Sequence, residues 1–593
     1  MDSKPASQRV WVGQVLIGAL SVVLVGLVGR LTYIQAAMRP ELVAYSEERQ
    51  KSEIRLPGRR GGILDCRGRL LAGSHDQSTI YADPRHIDDH AAAAATLAPI
   101  LNMEARAIQD RLDDPSSPAY VELMQGVGDD VVTAIRKLGL RGLGVTKGPA
   151  RVYPMGSLAA HVLGGITSDG RGLEGVEMSF ERYLKFKPGK RVVYWDSRRR
   201  NPMFQDPVAY TAPQDGLDVV LTLDAAIQET VERELTRVLE KFQAECVMGI
   251  VLNCKTGAVL AMACAPAFSP AAPGKSPAAH RRNRLLTDPV EPGSIFKPFV
   301  LVGALAAGLA RPTETIFCHN GVLALGRRLL HDHHPYGDLT VEQIITKSSN
   351  IGMAIIGQRM GNPLIYETLH GLGLGEKTGI DLPGEDRGLL MPLPRWKHYT
   401  TVSVPMGQEL ALTPIQLATA FCALVNGGRL PKPHVVAGVM DRQGQVIEDC
   451  RPKDEPRQVI DPTVAATMKD ILVKVVNEGT GKPSQLDYWQ VMGKTGTAQV
   501  PWSPEARREG RRRGYEPDAY LGSFLAAAPA SDPAVVALVM VRKPKRSIGY
   551  YGGTVAAPAV KAILQEVLPY LNVPHDRDPT AKDAVRPVAD LRD

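Results

Sequence analysis

The stretch EPGSIFKPFV, Glu291 to Val300, is where the reading of this 593-residue chain begins. Its Ser294 and Lys297 are three residues apart, so on a helix both side chains share a face. A serine hydroxyl is a weak nucleophile at its free pKa and needs a neighbouring base. A lysine becomes such a base when burial or nearby cations lower its pKa. Pro292-Gly293 precede the pair as a tight turn would. The Ser-x-x-Lys pattern occurs once here. Because roughly one or two copies arise by chance at this length, it needs company.

Two downstream stretches supply it. In ITKSSNIGMA, the Ser348 hydroxyl suits a proton relay, and the Asn350 amide suits a substrate amide. The plainer reading is a helix cap before IGMAIIGQRM, which Ser and Asn also favour. In VMGKTGTAQV, Lys494-Thr495-Gly496-Thr497 follows the β-like YWQVM. A strand edge presents backbone groups to an extended peptide. Threonine hydroxyls and a lysine charge suit a carboxylate, and glycine allows close approach to the backbone. The backbone N–H groups of Ser294 and Thr497 would form an oxyanion hole.

Lys-Thr-Gly occurs twice more. Lys255-Thr256-Gly257 separates the β-rich runs GIVLN and AVLAM and reads as a turn. Lys377-Thr378-Gly379 lies in the Gly-rich GLGLGEKTGIDLPGE and reads as a loop. That loop is a near miss for a phosphate cradle, because Glu376 stands where lysine should follow the glycine. Only Lys494 completes an ordered set: Ser-x-x-Lys, then Ser-x-Asn, then Lys-Thr-Gly.

Composition narrows the alternatives. Hydrophobic residues make up 44% and charged residues 22%, so a sizeable core is available and wholesale disorder is not expected. A net charge of +7 is small for this length. It fits a mildly basic exterior and only weakly suggests an anionic neighbour. Seven dispersed cysteines do not form a disulfide framework or zinc-type pairs, and nucleic acid is not an expected partner. HDHHPYGD holds His331, His333 and His334, but no companion set at ligand spacing, so no metal is expected. No Gly-x-Ser-x-Gly elbow occurs.

Val10 to Gly29 carries no charge. Twenty helical residues cover about 30 Å, one hydrocarbon thickness. A cleaved leader has a shorter apolar region, and IQAAMRPE is a weak cleavage site, so this reads as an uncleaved anchor. Lys4 and Arg9 flank one end, and Arg30, Arg39 and Arg49 follow the other. Orientation therefore rests on the chemistry of the large domain. Leu31 to Pro57 reads as a helix-compatible stalk, and RRGGILDCRGRLLAG as strands and turns. Asp89 to Asp113 has helical spacing, and Asp224 suits the N-cap of AAIQETVERELTRVLEKF.

The ordered triple resembles the active-site set of penicillin-binding proteins and serine β-lactamases. From the anchor to about Leu568, the chain resembles class B penicillin-binding proteins, most closely the cell-division (septal) peptidoglycan transpeptidases. RLTYIQ, RVYPMGSLAAHVLGG, GLEGVEMSFERYL, TLD at Thr222–Asp224, MGQELALTPIQLATAFCALVNGG, SFLAAAPASDP and YYGGTVAAP carry the likeness. YADPRHI and SDGRGLEGVE favour the division branch over the elongation branch. Cys66 and Arg67 depart from the family's usual Arg-Asn, and the basic ARREGRRRG after the third motif is unusual.

The resemblance implies an α+β protein. Its parts are a single N-terminal transmembrane helix, an elongated α+β pedestal, and a transpeptidase domain with an antiparallel sheet flanked by helices plus an all-helical lobe. The expected order is a cytoplasmic segment at 1–9, anchor at 10–34, pedestal (a dimerisation-type domain) at 35–214, transpeptidase at 215–570 and a flexible tail at 571–593. By the same resemblance Ser294 attacks the penultimate carbonyl of a stem peptide ending D-Ala-D-Ala, releasing D-Ala. An amino group of a neighbouring stem then takes the acyl group. Lys297 would be the base and Ser348 the proton relay. Asn350 would hold the substrate amide, Lys494 would stabilise charge, and Thr495, Gly496 and Thr497 would line the carboxylate site. β-Lactams should acylate Ser294. The implied setting is the cytoplasmic membrane, single-pass, with the catalytic domain outside. A membrane glycan polymerase and division proteins are the implied partners, and no cofactor is needed. The rivals are an elongation-type enzyme, a D,D-carboxypeptidase or β-lactamase, and a non-enzymatic β-lactam sensor or scaffold.

Overall fold

The computed structural model describes residues 6–42, 45, 51–115, 120–167, 169–194, 209–326, 328–502 and 514–578. Residues 506–513 of the basic ARREGRRRG stretch, the first five residues and the tail from 579 lie outside this set. The chain divides into two compact units: Met1–Arg59 with Phe186–Asp215, and Arg60–Lys185 with Gly216–Asp593.

In the first unit, the uncharged stretch forms a helix over Ala6–Tyr33 that runs on through a wider turn at Ile34–Met38. Val10–Leu42 is long and apolar enough to cross a membrane. Its leucines and valines are exposed on every side, with Leu20 76% and Val22 74% accessible. A helix that is apolar all round suits lipid rather than a half-wet protein surface. The stalk expected to reach Pro57 as a helix does not do so. Lys51–Leu56 is a strand, antiparallel to Gly189–Tyr194, which also pairs with Ala209–Thr211. The reason is local: Glu53–Leu56 alternates polar and apolar residues, and the partner GKRVVY is rich in strand formers.

In the second unit one sheet has the order Val446–Asp449, Val436–Met440, Asp218–Leu221, Ile63–Leu64, Leu70–Ala82 and Val121–Val127, and Leu143–Val152 also pairs with Leu70–Ala82. Ile63–Leu64 runs parallel to Asp218–Leu221, so this sheet takes strands from both sides of Asp215. The helical spacing at 89–113 resolves into two helices, His90–Leu101 and Ala105–Leu112. Asn102, at φ 50°, ends the first in the left-handed conformation that asparagine tolerates.

A carboxylate organises the segment before Asp215. Glu177 is fully buried, and its two oxygens meet Arg60 Nε and Arg151 Nε, each at 2.6 Å. Tyr153 OH donates to the same carboxylate at 3.2 Å. The departure at Cys66-Arg67 is accommodated nearby: Arg67 Nε and Arg69 Nη2 grip Asp224 at 2.7 and 2.5 Å. Asp224 also caps Ala225–Phe242 as its sequence position implies, accepting from Ala226 N at 3.0 Å.

The central sheet comprises β1 (Cys246–Asn253), β2 (Val259–Ala265), β3 (Met492–Pro501), β4 (Tyr515–Ala528) and β5 (Val535–Arg542), in the antiparallel order β2-β1-β5-β4-β3. Side chains alternate between two cores, as strand periodicity requires. Val247, Val251 and Val539 pack against Ala225–Phe242 and Ala557–Tyr570 through Val231, Leu235 and Ile563. Met248, Ile250 and Leu538 join the other core with Phe296, Phe299 and Phe421. β3 ends the sheet, so one side of it faces the helices that carry Ser294 and Ser348.

Replacing Glu177 by alanine would take the shared carboxylate from two buried guanidinium groups, leaving Arg60 its pair with Glu181 at 2.7 Å and Arg151 Nη1 its bond to Gly61 O at 2.6 Å. Breaking a buried pair in this way costs about 3–5 kcal/mol. Glu177→Ala is therefore expected to lower the thermal unfolding midpoint markedly. An unchanged midpoint would show that Glu177 does not hold this cluster together.

Candidate active site

Gly293–Phe296 forms one tight helical turn that leads into the helix Lys297–Ala306. Ile295, Phe296, Phe299 and Val300 sink into the core, while Ser294 stays half-buried at the surface. Lys297 is on the inward side and fully buried. Its Nζ donates to Ser348 O at 2.5 Å, Asn350 Oδ1 at 2.9 Å and Ser348 Oγ at 3.2 Å. From the opposite wall, Lys494 Nζ donates to the same Ser348 Oγ at 2.9 Å and to Thr495 O at 3.0 Å. Two buried lysines thus converge on one hydroxyl.

Their electrostatics follow from that burial. Desolvation pushes the Lys297 ammonium down to about 7, with the Asp332 carboxylate pulling it partly back. Desolvation, reinforced by the charge of Lys297, holds Lys494 well below the usual lysine range. Two ammonium groups sharing a dry site cannot both remain charged at little cost.

The turn around Ser348 serves two ends. Ser349 caps the following helix, accepting from Gly352 N at 3.0 Å, so the plain capping reading holds. Its neighbours Ser348 and Asn350 face the lysines. Ser348 has φ +62°, an uncommon conformation for serine. Asp332, from HDHHPYGD, binds this turn: Ser349 Oγ donates to it at 2.6 Å, Ile351 N at 3.1 Å, and Asn350 N also donates. Nothing in the sequence pattern had singled Asp332 out from the adjacent histidines.

On β3, the four predicted residues divide. Thr497 lines a cleft of about 230 Å³ with Ser294, Asn350, Glu291, Gln408 and Gln499. Its hydroxyl accepts from Gly552 N at 3.1 Å. Thr495 is buried, and its hydroxyl is shared with Thr480 at 2.5 Å. The space beside Gly496 is filled by the protein: a Cβ there would meet Ser523 Oγ at 2.5 Å, Ile295 Cγ2 at 2.8 Å and Pro292 O at 3.0 Å. The glycine lets the strand lie against the turn that bears Ser294, a reason different from close approach of substrate. Thr495 O meets Lys494 Nζ, and Thr497 O lies 3.2 Å from a Cβ position on Gly293. By the two-residue period, the N–H groups of Thr495 and Thr497 point to this same unpaired edge.

The other Lys-Thr-Gly copies do not line this cleft. Gly257 turns at φ +78°, and Lys255 pairs with Asp532 at 2.7 Å beside a separate cavity of about 940 Å³. Thr378 N and Oγ1 both donate to Glu385 at 2.6 Å. His331 contributes its carbonyl to Asn350 Nδ2 at 3.1 Å, and the His333 ring meets Tyr551 OH at 3.0 Å. Among the described residues, no group of three His, Cys, Asp or Glu is placed to hold a metal.

Comparison with known proteins agrees with this arrangement. Residues 247–565 match the penicillin binding protein transpeptidase domain, and residues 55–221 match the penicillin-binding protein dimerisation domain. The chain belongs to the penicillin-binding protein transpeptidase family, and the match defines it as a penicillin-binding transpeptidase enzyme. It is 31% identical to the probable peptidoglycan D,D-transpeptidase PenA of Neisseria meningitidis, over 98% of this chain and 96% of that one. It is 29% identical to the peptidoglycan D,D-transpeptidase FtsI of Escherichia coli K12, over 95% and 93%. It also resembles penicillin binding protein 3 of Mycobacterium tuberculosis complexed with aztreonam, with a TM-score of 0.66, 28% identity, and coverage of 88% of this chain and 98% of that one.

Gly496→Ala should push β3 away from the turn that carries Ser294. The expected result is a folded protein that a fluorescent penicillin labels far more slowly. Labelling at the original rate would show that the strand accommodates the methyl group.

Proposed function

We propose that this protein is a septal peptidoglycan D,D-transpeptidase in which Ser294 forms the acyl-enzyme. The observation that carries this reading is the fully buried Lys297, whose amine is held near a pKa of about 7. At neutral pH a large share of Lys297 is then unprotonated and able to take the Ser294 proton. The stem's terminal carboxylate lies toward Lys494, Thr495 and Thr497, with Gly496 keeping that strand close. The penultimate D-Ala carbonyl lies over Ser294, its oxygen facing the N–H groups of Ser294 and Thr497. Asn350 holds the stem's amide.

As the Ser294 oxygen bonds to the carbonyl carbon, its proton passes to Lys297. Ser348 Oγ, which meets both lysines, carries the proton onward to the departing D-Ala amine. The amino group of a second stem then attacks the ester, the carbon–oxygen bond breaks, and Ser294 is restored. β-Lactams stop the cycle at the acyl-enzyme because they present a strained amide in place of the D-Ala-D-Ala bond.

The membrane reading follows from the helix Val10–Leu42, with the catalytic unit on the outer face, where peptidoglycan is built. YADPRHI and SDGRGLEGVE support the division role over elongation. Glycan polymerisation would fall to a membrane partner. The domain limits read from the sequence, with the main boundary at Asp215, belong to this proposal as well.

Ser294→Ala should abolish covalent labelling by a fluorescent penicillin while the protein stays folded, and full labelling would refute the nucleophile. A long-lived penicilloyl adduct on the unaltered protein is expected, whereas rapid turnover would indicate hydrolysis as the reaction. Acylation should also lose about tenfold per pH unit as pH falls below about 7, because protonated Lys297 cannot accept a proton. A rate that stays flat through this range would remove Lys297 from the base role.

A further inference from the structure

We infer that Asp332 is a positioning residue of the active site: its carboxylate fixes the Ser348 turn and supplies the negative charge that faces Lys297. The inference rests on the transpeptidase reading above and assigns a role within that site. Two separate observations support it.

The first is geometric. Both carboxylate oxygens are used, and all three donors belong to consecutive residues of one turn: Ser349 Oγ, Asn350 N and Ile351 N. That turn holds Ser348 at φ +62°, a conformation that persists only when its surroundings impose it. The same turn aims Ser348 O, Ser348 Oγ and Asn350 Oδ1 at Lys297 Nζ. Asp332 is itself anchored, since its backbone N–H donates to Gly321 O at 3.0 Å. It sits just past the strand Arg328–His331, whose last carbonyl accepts from the Asn350 amide. One carboxylate thus sets the direction of every acceptor that Lys297 uses.

The second observation is electrostatic. Around the pair stand Lys494, Cys318 and Tyr336, with Asp338 acting on Cys318, Lys347 over the Tyr336 ring at 5.5 Å, and His331 and His333 flanking Asp332 in the chain. The two lysine charges, Lys297 and Lys494, disfavour one another. Asp332 acts in the opposite sense, favouring the protonated form of Lys297. When Lys297 takes the Ser294 proton, an ammonium forms in a buried site beside a second lysine. A fixed carboxylate behind the turn offsets that charge without touching the substrate.

The test compares acylation of the full-length protein by a chromogenic β-lactam across pH for the unaltered chain, Asp332→Asn, Asp332→Ala and Ser349→Ala. Asparagine keeps the size of the side chain and can still accept from Asn350 N and Ile351 N, but it carries no charge. Removing the charge lowers the affinity of Lys297 for its proton. The acid limb of the Asp332→Asn profile should therefore move to lower pH. Asp332→Ala also loses the turn, and its plateau rate should fall at least about tenfold below that of Asp332→Asn. Ser349→Ala loses a cap and one bond, so it should melt earlier with its acid limb in place.

An unmoved limb in Asp332→Asn would overturn the charge assignment, as would an equal movement in Ser349→Ala. A full plateau rate in Asp332→Ala would overturn the positioning role. If the unaltered protein is not acylated at all, the transpeptidase reading itself fails, which is a distinguishable result.

Discussion

The structure turns on two lysines that meet at one hydroxyl, both sealed from solvent. Lys297 and Lys494 approach Ser348 Oγ from opposite walls, and neither is accessible to solvent. Burial makes the charged form of each unfavourable, and each charge makes the other's worse. The site is therefore poised to share protons among three side chains rather than to hold two cations. Much of the surrounding architecture keeps this arrangement dry and close: the Phe296–Phe299 helix base, the β3 edge and the Ser348 turn each form one side of it.

Closeness is enforced by absent side chains as much as by present ones. Gly496 admits the turn that bears Ser294, and Gly407 lies so near that turn that a Cβ on it would come within 2.3 Å of Gly293 O. Gly552, likewise, presses on the far side of β3, where a Cβ would meet Gly496 O at 2.3 Å. The strand is clamped between two backbones. Such contacts make the cleft rigid, because interiors packed to this density do not deform gradually.

Much of this could be read from the residues, and the limits of that reading have physical causes. Ser294, Lys297, Ser348, Asn350 and Lys494 were visible because each motif is short and the order of the three is specific. The two spare Lys-Thr-Gly copies read as a turn and a loop, and neither lines the Ser294 cleft. The strand at Lys51–Leu56 was missed because only its last four residues alternate, which is a weak signal, and the partner strand lies far along the chain. The break at Asn102 was missed because a single left-handed residue does not disturb hydrophobic spacing. Asp332 was hidden by its neighbours: three histidines drew the eye toward metal chemistry, while the aspartate between them holds the turn. Thr480 was equally silent, because a hydroxyl that meets another threonine from a separate element leaves no trace in local pattern.

The short strand Ile63–Leu64 carries a consequence for how such a protein can be dissected or rearranged. It fills the place beside Asp218–Leu221, and its own other neighbour is Leu70–Ala82. A fragment starting near Asp215 would leave Val219 and Val220 with bare amide and carbonyl groups along one side. Unpaired edges of that kind recruit other chains. Gene fusion or trimming at this point would thus create a sticky edge, even though the cut spares every residue that lines the Ser294 cleft.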